Sequence, residues 1–190
     1  MDTCPHCGNP VEGAKIKCRV CGRMLQTPDA PDERAGGAMV RGDDKRGVAI
    51  GAAGSNSAQL LIDTSGTKVV DITDRVKGFA RTIGQTGLVN VFVPHSTAGI
   101  ALMETGSGSE ADLGEALERL FPSDERYVHQ HGAKGHGRSH IVPAFISPSM
   151  SIPSEHGNLA LGTWQSIVFV DPNEDNDERR VILNFYPSGA

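Results

Sequence analysis

Residues 159–171 read LALGTWQSIVFVD and residues 179–186 read RRVILNFY, and these two runs decide the fold class. Both are rich in branched and aromatic residues that suit a pleated, half-buried surface. Just upstream lie HIVPAFIS at 140–147 and SMSIP at 149–153, so the C-terminal part carries four β-type runs. Gly162 falls inside the first quoted run, where a glycine marks a bulge or a close approach of backbone. The chain's only tryptophan, Trp164, follows it, and Gln165 comes next. The pair reads either as a core aromatic at a strand kink or as contacts for a substrate amide or phosphate.

Working back toward the N-terminus, AQLLIDTS (58–65) and KVVDIT (68–73) are two more β-type runs, followed by a helix over about 75–85 that Thr73 or Asp74 could cap. LVNVFVP (88–94) and TAGIALME (97–104) form another strand pair. Ser109 opens a second helix, in which Leu113, Leu117 and Leu120 recur at helical spacing and Pro122 is the stop. The order ββ-α-ββ-α-ββββ brings strands in pairs with two inserted helices. That favours an α+β domain with antiparallel sheets over a doubly wound parallel sheet.

The domain so outlined spans 58–190, with ten Lys and Arg against sixteen Asp and Glu, and it carries the acidity behind the net charge of −5. An acidic balance argues against a protein that coats nucleic acid. No apolar run reaches the roughly 18 residues that a membrane span needs. MDTCPHCGNP has neither the basic nor the apolar region of a secretory signal, so a cytoplasmic protein is expected. Residues 26–57, rich in Gly, Ala, Asp, Arg and Pro without apolar periodicity, read as a flexible linker.

All four cysteines fall in residues 1–25, as the pairs Cys4/Cys7 and Cys18/Cys21, each followed by glycine. Two such knuckles offer four thiolates, the closed tetrahedral set of a structural zinc ribbon. Paired disulfides are the competing reading, and the missing secretory signal counts against them. Lys15, Lys17, Arg19 and Arg23 outweigh Asp2 and Glu12 there, which suits docking to a protein partner as well as plain stabilisation.

Chemistry is expected from the histidines. His95 stands at the end of LVNVFVP, and His129, His131, His136 and His140 share YVHQHGAKGHGRSH. Three imidazoles with an open position form a known water-activating metal site, whereas a glycine-rich loop with solvated histidines is the bland alternative. His131 and His136, flanked by glycines, fit the bland reading best; His129 and His140 are better placed to be held rigidly. Glu104 and Asp112 could serve as general base or orient a histidine, and Asp112 could equally be a favourable charge in the first turn of a helix.

PHSTAGIALME, Asp112, YVH, SHI, LALGTWQSIVF and the following RRV resemble the YjbQ family, whose members are often labelled secondary thiamine-phosphate synthases. The similarity covers 58–190. It implies a β-sandwich-like core, a homotrimer, and a divalent metal on His95, His129 and His140, with Glu104 and Asp112 as the acidic positions. It departs where members carry Asp-Pro or Glu-Pro after Glu104 and this chain reads TGSGSEAD. The implied activity joins a pyrimidine pyrophosphate to a thiazole phosphate, so a phosphorylated small-molecule substrate is expected. Lys134, Arg138, Arg179 and Arg180 are the candidate phosphate ligands, with Trp164 and Gln165 beside them. Metal-assisted hydrolysis of a small phosphorylated or amide substrate, or a non-catalytic metal or ligand sensor, are the alternatives.

Overall fold

The computed structural model describes residues 2–3, 10–11, 48–50, 56–124, 126–129 and 135–189. The cysteines, residues 26–47 and 51–55 of the expected 26–57 linker, His131 and Lys134 lie outside the described residues, whereas Val48–Ile50 and Ser57 of that linker are in strands.

Three strands near the N-terminus are short: β1 (Asp2–Thr3) pairs with β2 (Pro10–Val11), and β3 (Val48–Ile50) joins the main domain. That domain continues with β4 (Ser57–Asp63), β5 (Val69–Asp71), α1 (Thr73–Ile83), β6 (Gly87–Phe92), β7 (Gly99–Met103) and α2 (Ser109–Leu120). It ends with α3 (His136–Ser139), a 3-10 turn at Val142–Ala144, β8 (Ser149–Glu155), β9 (Asn158–Leu159), β10 (Ser166–Val170) and β11 (Glu178–Pro187). Among the described residues every strand pairing is antiparallel. One sheet has the order β3-β4-β11-β6-β8-β9 and the other β5-β10-β7, which gives the expected α+β fold with antiparallel sheets.

β10 shows why the quoted run is apolar throughout. Ile167 and Phe169 point into a core shared with Leu60, Val89, Val91, Leu183 and the α1 residues Val76, Phe79 and Ala80. Val168 and Val170 point the other way, into a second cluster with Val69, Val142 and the α2 residue Leu117. A strand buried on both faces has no polar alternation to show. β11 alternates instead: Arg179, Val181, Leu183 and Phe185 are buried, and Glu178, Arg180 and Tyr186 are exposed.

Three local expectations change. HIVPAFIS is not a strand, because Pro143 sits at the start of the 3-10 turn, where its missing N–H costs nothing. The run LALGTWQ is not continuous strand either. Residues 162–165 turn, with the Gly162 N–H donating to Gln165 Oε1 at 2.8 Å and the Gln165 N–H to the Gly162 carbonyl at 3.0 Å. Trp164 is therefore not a core residue, being 73% exposed. Neither Thr73 nor Asp74 caps α1. Asp71 Oδ1 accepts the Thr73 N–H at 2.8 Å, while Thr73 Oγ1 accepts from the Ile167 N–H at 2.8 Å and ties the helix to β10.

Candidate metal centre

α3 is a four-residue helix in the glycine-rich loop, and His136 and His140 lie four residues apart, one helical turn. Their Nε2 atoms are 2.8 Å apart. His129 arrives from the preceding stretch, its ring centroid 4.5 Å from that of His140 and 6.0 Å from that of His136. One ligand atom from each of the three lies within 4.8 Å of the others. Nitrogens bound tetrahedrally at about 2.0–2.1 Å from zinc stand about 3.3 Å apart, so closing on an ion asks for side-chain shifts of about 1–2 Å.

Glycine makes this meeting possible. A Cβ on Gly137 would lie 2.5 Å from the His129 carbonyl and 2.7 Å from Tyr127 Cβ, so α3 and the 127–129 stretch touch only with no side chain there. Gly135, at φ +76°, takes the left-handed turn into the helix.

His136 is oriented from behind. Its Nδ1 is 2.5 Å from Asp175 Oδ2, and both side chains are about nine-tenths buried. A carboxylate beside Nδ1 favours the tautomer that carries its proton there and keeps the Nε2 lone pair for a ligand, as carboxylate partners of metal-binding histidines do. Asp175 stands in the β10–β11 loop, and ion pairs fix that loop. Lys68 Nζ is 3.3 Å from Glu174 Oε1 and 3.0 Å from Glu118 Oε1, and Arg138 Nη1 is 2.5 Å from Glu118 Oε2. The hydrogen bond from Arg138 holds the Glu118 carboxyl below its ordinary range; burial opposes this and Lys68 adds to it.

Arg138 is thus committed to α2, through Glu118 and the Phe121 carbonyl at 3.3 Å, and is 4% exposed. Its buried pairing turns it away from the phosphate role expected of it. His95 does not join the three histidines. Its Nε2 accepts the Arg180 N–H at 2.8 Å, and burial, then Arg179 and Arg180, push its pKa down. Arg179 is buried against Asp171, its Nε donating to Oδ2, while burial raises the pKa of Asp171 against the pull of Arg179, Asn173 and Thr97. Arg180 projects from the opposite face of β11.

Glu104, Trp164 and Gln165 line a separate groove with residues of β5, α1 and the 63–67 turn. Asp112 is exposed in the first turn of α2. From the sequence His136 fits a solvated loop, and Asp175 does not stand out. The four-residue spacing of His136 and His140 was the available signal for the first, and no local signal marks the second.

Fold and site together define an α+β domain of two antiparallel sheets that presents a cluster of three histidines on a glycine-rich loop. The chain belongs to the YjbQ family, since the family model for "UPF0047 protein YjbQ-like" matches residues 58–188. A UPF0047 protein of Mycobacterium bovis is 53% identical over 126 residues, 66% of this chain and 97% of that protein. YugU of Bacillus subtilis is 32% identical, covering 57% of this chain and 82% of its own. The crystal structure of an uncharacterized conserved protein of Clostridium acetobutylicum aligns with a TM-score of 0.61 at 30% identity, covering 67% of this chain and 98% of that one. A structure from Sulfolobus solfataricus, described as of unknown function, aligns with a TM-score of 0.65 at 25% identity, covering 70% and 96%.

These comparisons overturn the expected thiamine-phosphate synthase activity. The relatives are UPF0047 proteins of unknown function, and none carries that activity in its description. Among the described residues, no helix is long and apolar enough to cross a membrane.

Proposed function

We propose that His129, His136 and His140 hold a divalent transition-metal ion, with Asp175 orienting His136. The observation that carries this reading is the convergence of three imidazoles whose ligand atoms lie within 4.8 Å, one of them backed by a buried carboxylate at 2.5 Å. Neutral imidazole suits zinc and its neighbours, and three histidines with further positions open to solvent are the donor set of Lewis-acid centres. When bound, such an ion polarises water or a ligand oxygen. The chain's part is to fix the His136 tautomer, to brace α3 through Arg138 and Glu118, and to leave His129 accessible. A structural zinc on Cys4, Cys7, Cys18 and Cys21 belongs to the same proposal, supported by the two Cys-x-x-Cys-Gly knuckles.

Elemental analysis of the full chain tests both sites. Two ions per wild-type chain are expected, with one lost in His136→Ala and the other in a Cys4→Ala/Cys18→Ala double variant. Full metal content in folded His136→Ala would sink the histidine centre.

A further inference from the structure

A groove of about 1020 Å³ runs between the 63–67 turn, α1 and the 162–165 turn, and contains none of the three clustered histidines. Its rim holds Trp164, the chain's single tryptophan. At 73% exposure this is an unusual place for the largest side chain, because burying an aromatic ring is among the strongest stabilising contributions available to a fold. The backbone that carries Trp164 is held in place. Two Gly162–Gln165 hydrogen bonds close the turn, so a ligand at the ring need not order the backbone beneath it.

Charge gives the ligand its sign. Asp63, Asp71, Asp74 and Glu104 line the groove against Arg75 and Lys77. Arg75 is partly committed elsewhere, Nη1 donating to the Leu61 carbonyl at 2.8 Å. Asp71 is a fixed anion: Oδ1 accepts from the Thr73 N–H and Oδ2 from Thr105 Oγ1 at 3.0 Å. Although burial works to raise its pKa, hydrogen bonds from Thr73, Ser166 and Thr105 hold it below the ordinary value. An electron-rich indole face beside a surplus of carboxylates attracts organic cations and repels phosphate.

We propose that this groove is a binding site for a small organic amine, with its ammonium against the face of Trp164 and the carboxylates of Asp71, Asp74 and Glu104 around it. The site stands independently of the histidine centre, with which it shares no residue.

Because Trp164 is the only tryptophan, its fluorescence reports the groove without background. The probe is spermidine, titrated into the full chain at fixed ionic strength, with inorganic phosphate and glucose as anionic and neutral controls. A saturable emission change with spermidine alone is expected, weakening as salt is raised. By calorimetry, Trp164→Phe should weaken spermidine binding about three- to thirtyfold. An Asp74→Asn/Glu104→Gln variant, with unchanged circular dichroism, should weaken it about three- to tenfold. His136→Ala should bind spermidine like wild type, which separates failure of this site from failure of the metal centre. The proposal is overturned by a non-saturable response, by equal responses to phosphate or glucose, or by full affinity in both groove variants. It is equally overturned by an indole emission that is already apolar and shifts on dilution as the sedimentation coefficient falls, which would mean that a second copy of the chain covers Trp164.

Discussion

At the passage from β10 in one sheet to β11 in the other, Arg179 and Asp171 are buried together because both occupy inward positions on regular strands or at their ends, whereas His129, His136 and His140 meet on irregular backbone. Strand parity sets the first arrangement: Arg179 shares a face with Val181, Leu183 and Phe185, so its guanidinium enters the core and must find a carboxylate there. The second depends on Gly137, which lets α3 touch the 127–129 stretch, and on ion pairs that brace the loop from outside. Two packed sheets hold the polar pair between them by the energetics of the whole core. A loop holds its ligands by a few local contacts, and each should be separately removable.

The largest effect is expected at this pair between the sheets. Arg179→Ala leaves Asp171 buried without its cation, and breaking such a pair costs about 3–5 kcal/mol. Chemical denaturation should show this as a large drop in midpoint. An Arg179→Met/Asp171→Leu double variant should recover most of the loss, because it buries no unpaired charge. A midpoint in Arg179→Ala close to wild type would break the comparison, since the pair would then hold nothing that the sheet does not already hold.

Gly137→Ala comes next and strikes the loop. The added methyl would meet backbone at 2.5 Å, and overpacking of this kind costs about 1–3 kcal/mol. Metal content, read by elemental analysis, should fall with it, because His129 is pushed away from α3. Gly114 in α2 is the control, since a methyl added there would meet nothing within 4 Å. Gly114→Ala should leave metal content unchanged and raise stability by about 0.5–1 kcal/mol.

How far each region could be read in advance follows from the same contrast. The runs around Ile167–Val170 and Val181–Tyr186 declare themselves, the first as a short unbroken apolar run buried on both faces and the second by burial with a period of two. The two long helices emerge within two or three residues of their expected bounds: Val76, Phe79 and Ala80 mark the buried face of α1, and Leu113 and Leu117 that of α2, although Leu120 in the same spacing is exposed. HIVPAFIS misleads because five apolar residues look alike in a strand and in a 3-10 turn, and Pro143 is the residue that separates them. At the site, His129 and His140 were legible as rigidly placed, but His136 was discounted for its flanking glycines. Those glycines are what allow the cluster to close. Asp175 could not be found from its neighbours at all, for it reaches His136 from a loop 39 residues downstream through tertiary packing alone.

Asp175→Asn sharpens the comparison without disturbing the packing. An amide keeps the shape but no longer fixes the Nδ1 proton of His136, and loss of such a partner weakens metal binding about 10–100-fold. Competition with a chromophoric chelator should resolve that change, with the denaturation midpoint of the metal-free protein nearly unmoved. Equal affinity in the variant would show that the carboxylate serves the loop rather than the imidazole.

The smallest expected effect is a pH dependence at the brace. Glu118 lies below its ordinary value near 4.5 in the folded chain, chiefly through the hydrogen bond from Arg138. A carboxyl depressed by folding adds stability above its unfolded value, and that increment is lost as pH falls through the lower folded value. The Glu118 side chain is 42% exposed, so solvent screening keeps the increment below about 1 kcal/mol. Denaturation midpoints of wild type and Glu118→Gln should therefore differ slightly at pH 7 and converge as the pH is taken below 4.5 toward the folded value. The gap should also narrow in high salt at neutral pH. No gap at pH 7 would mean that Arg138 is held by the Phe121 carbonyl and its packing, with Glu118 a bystander.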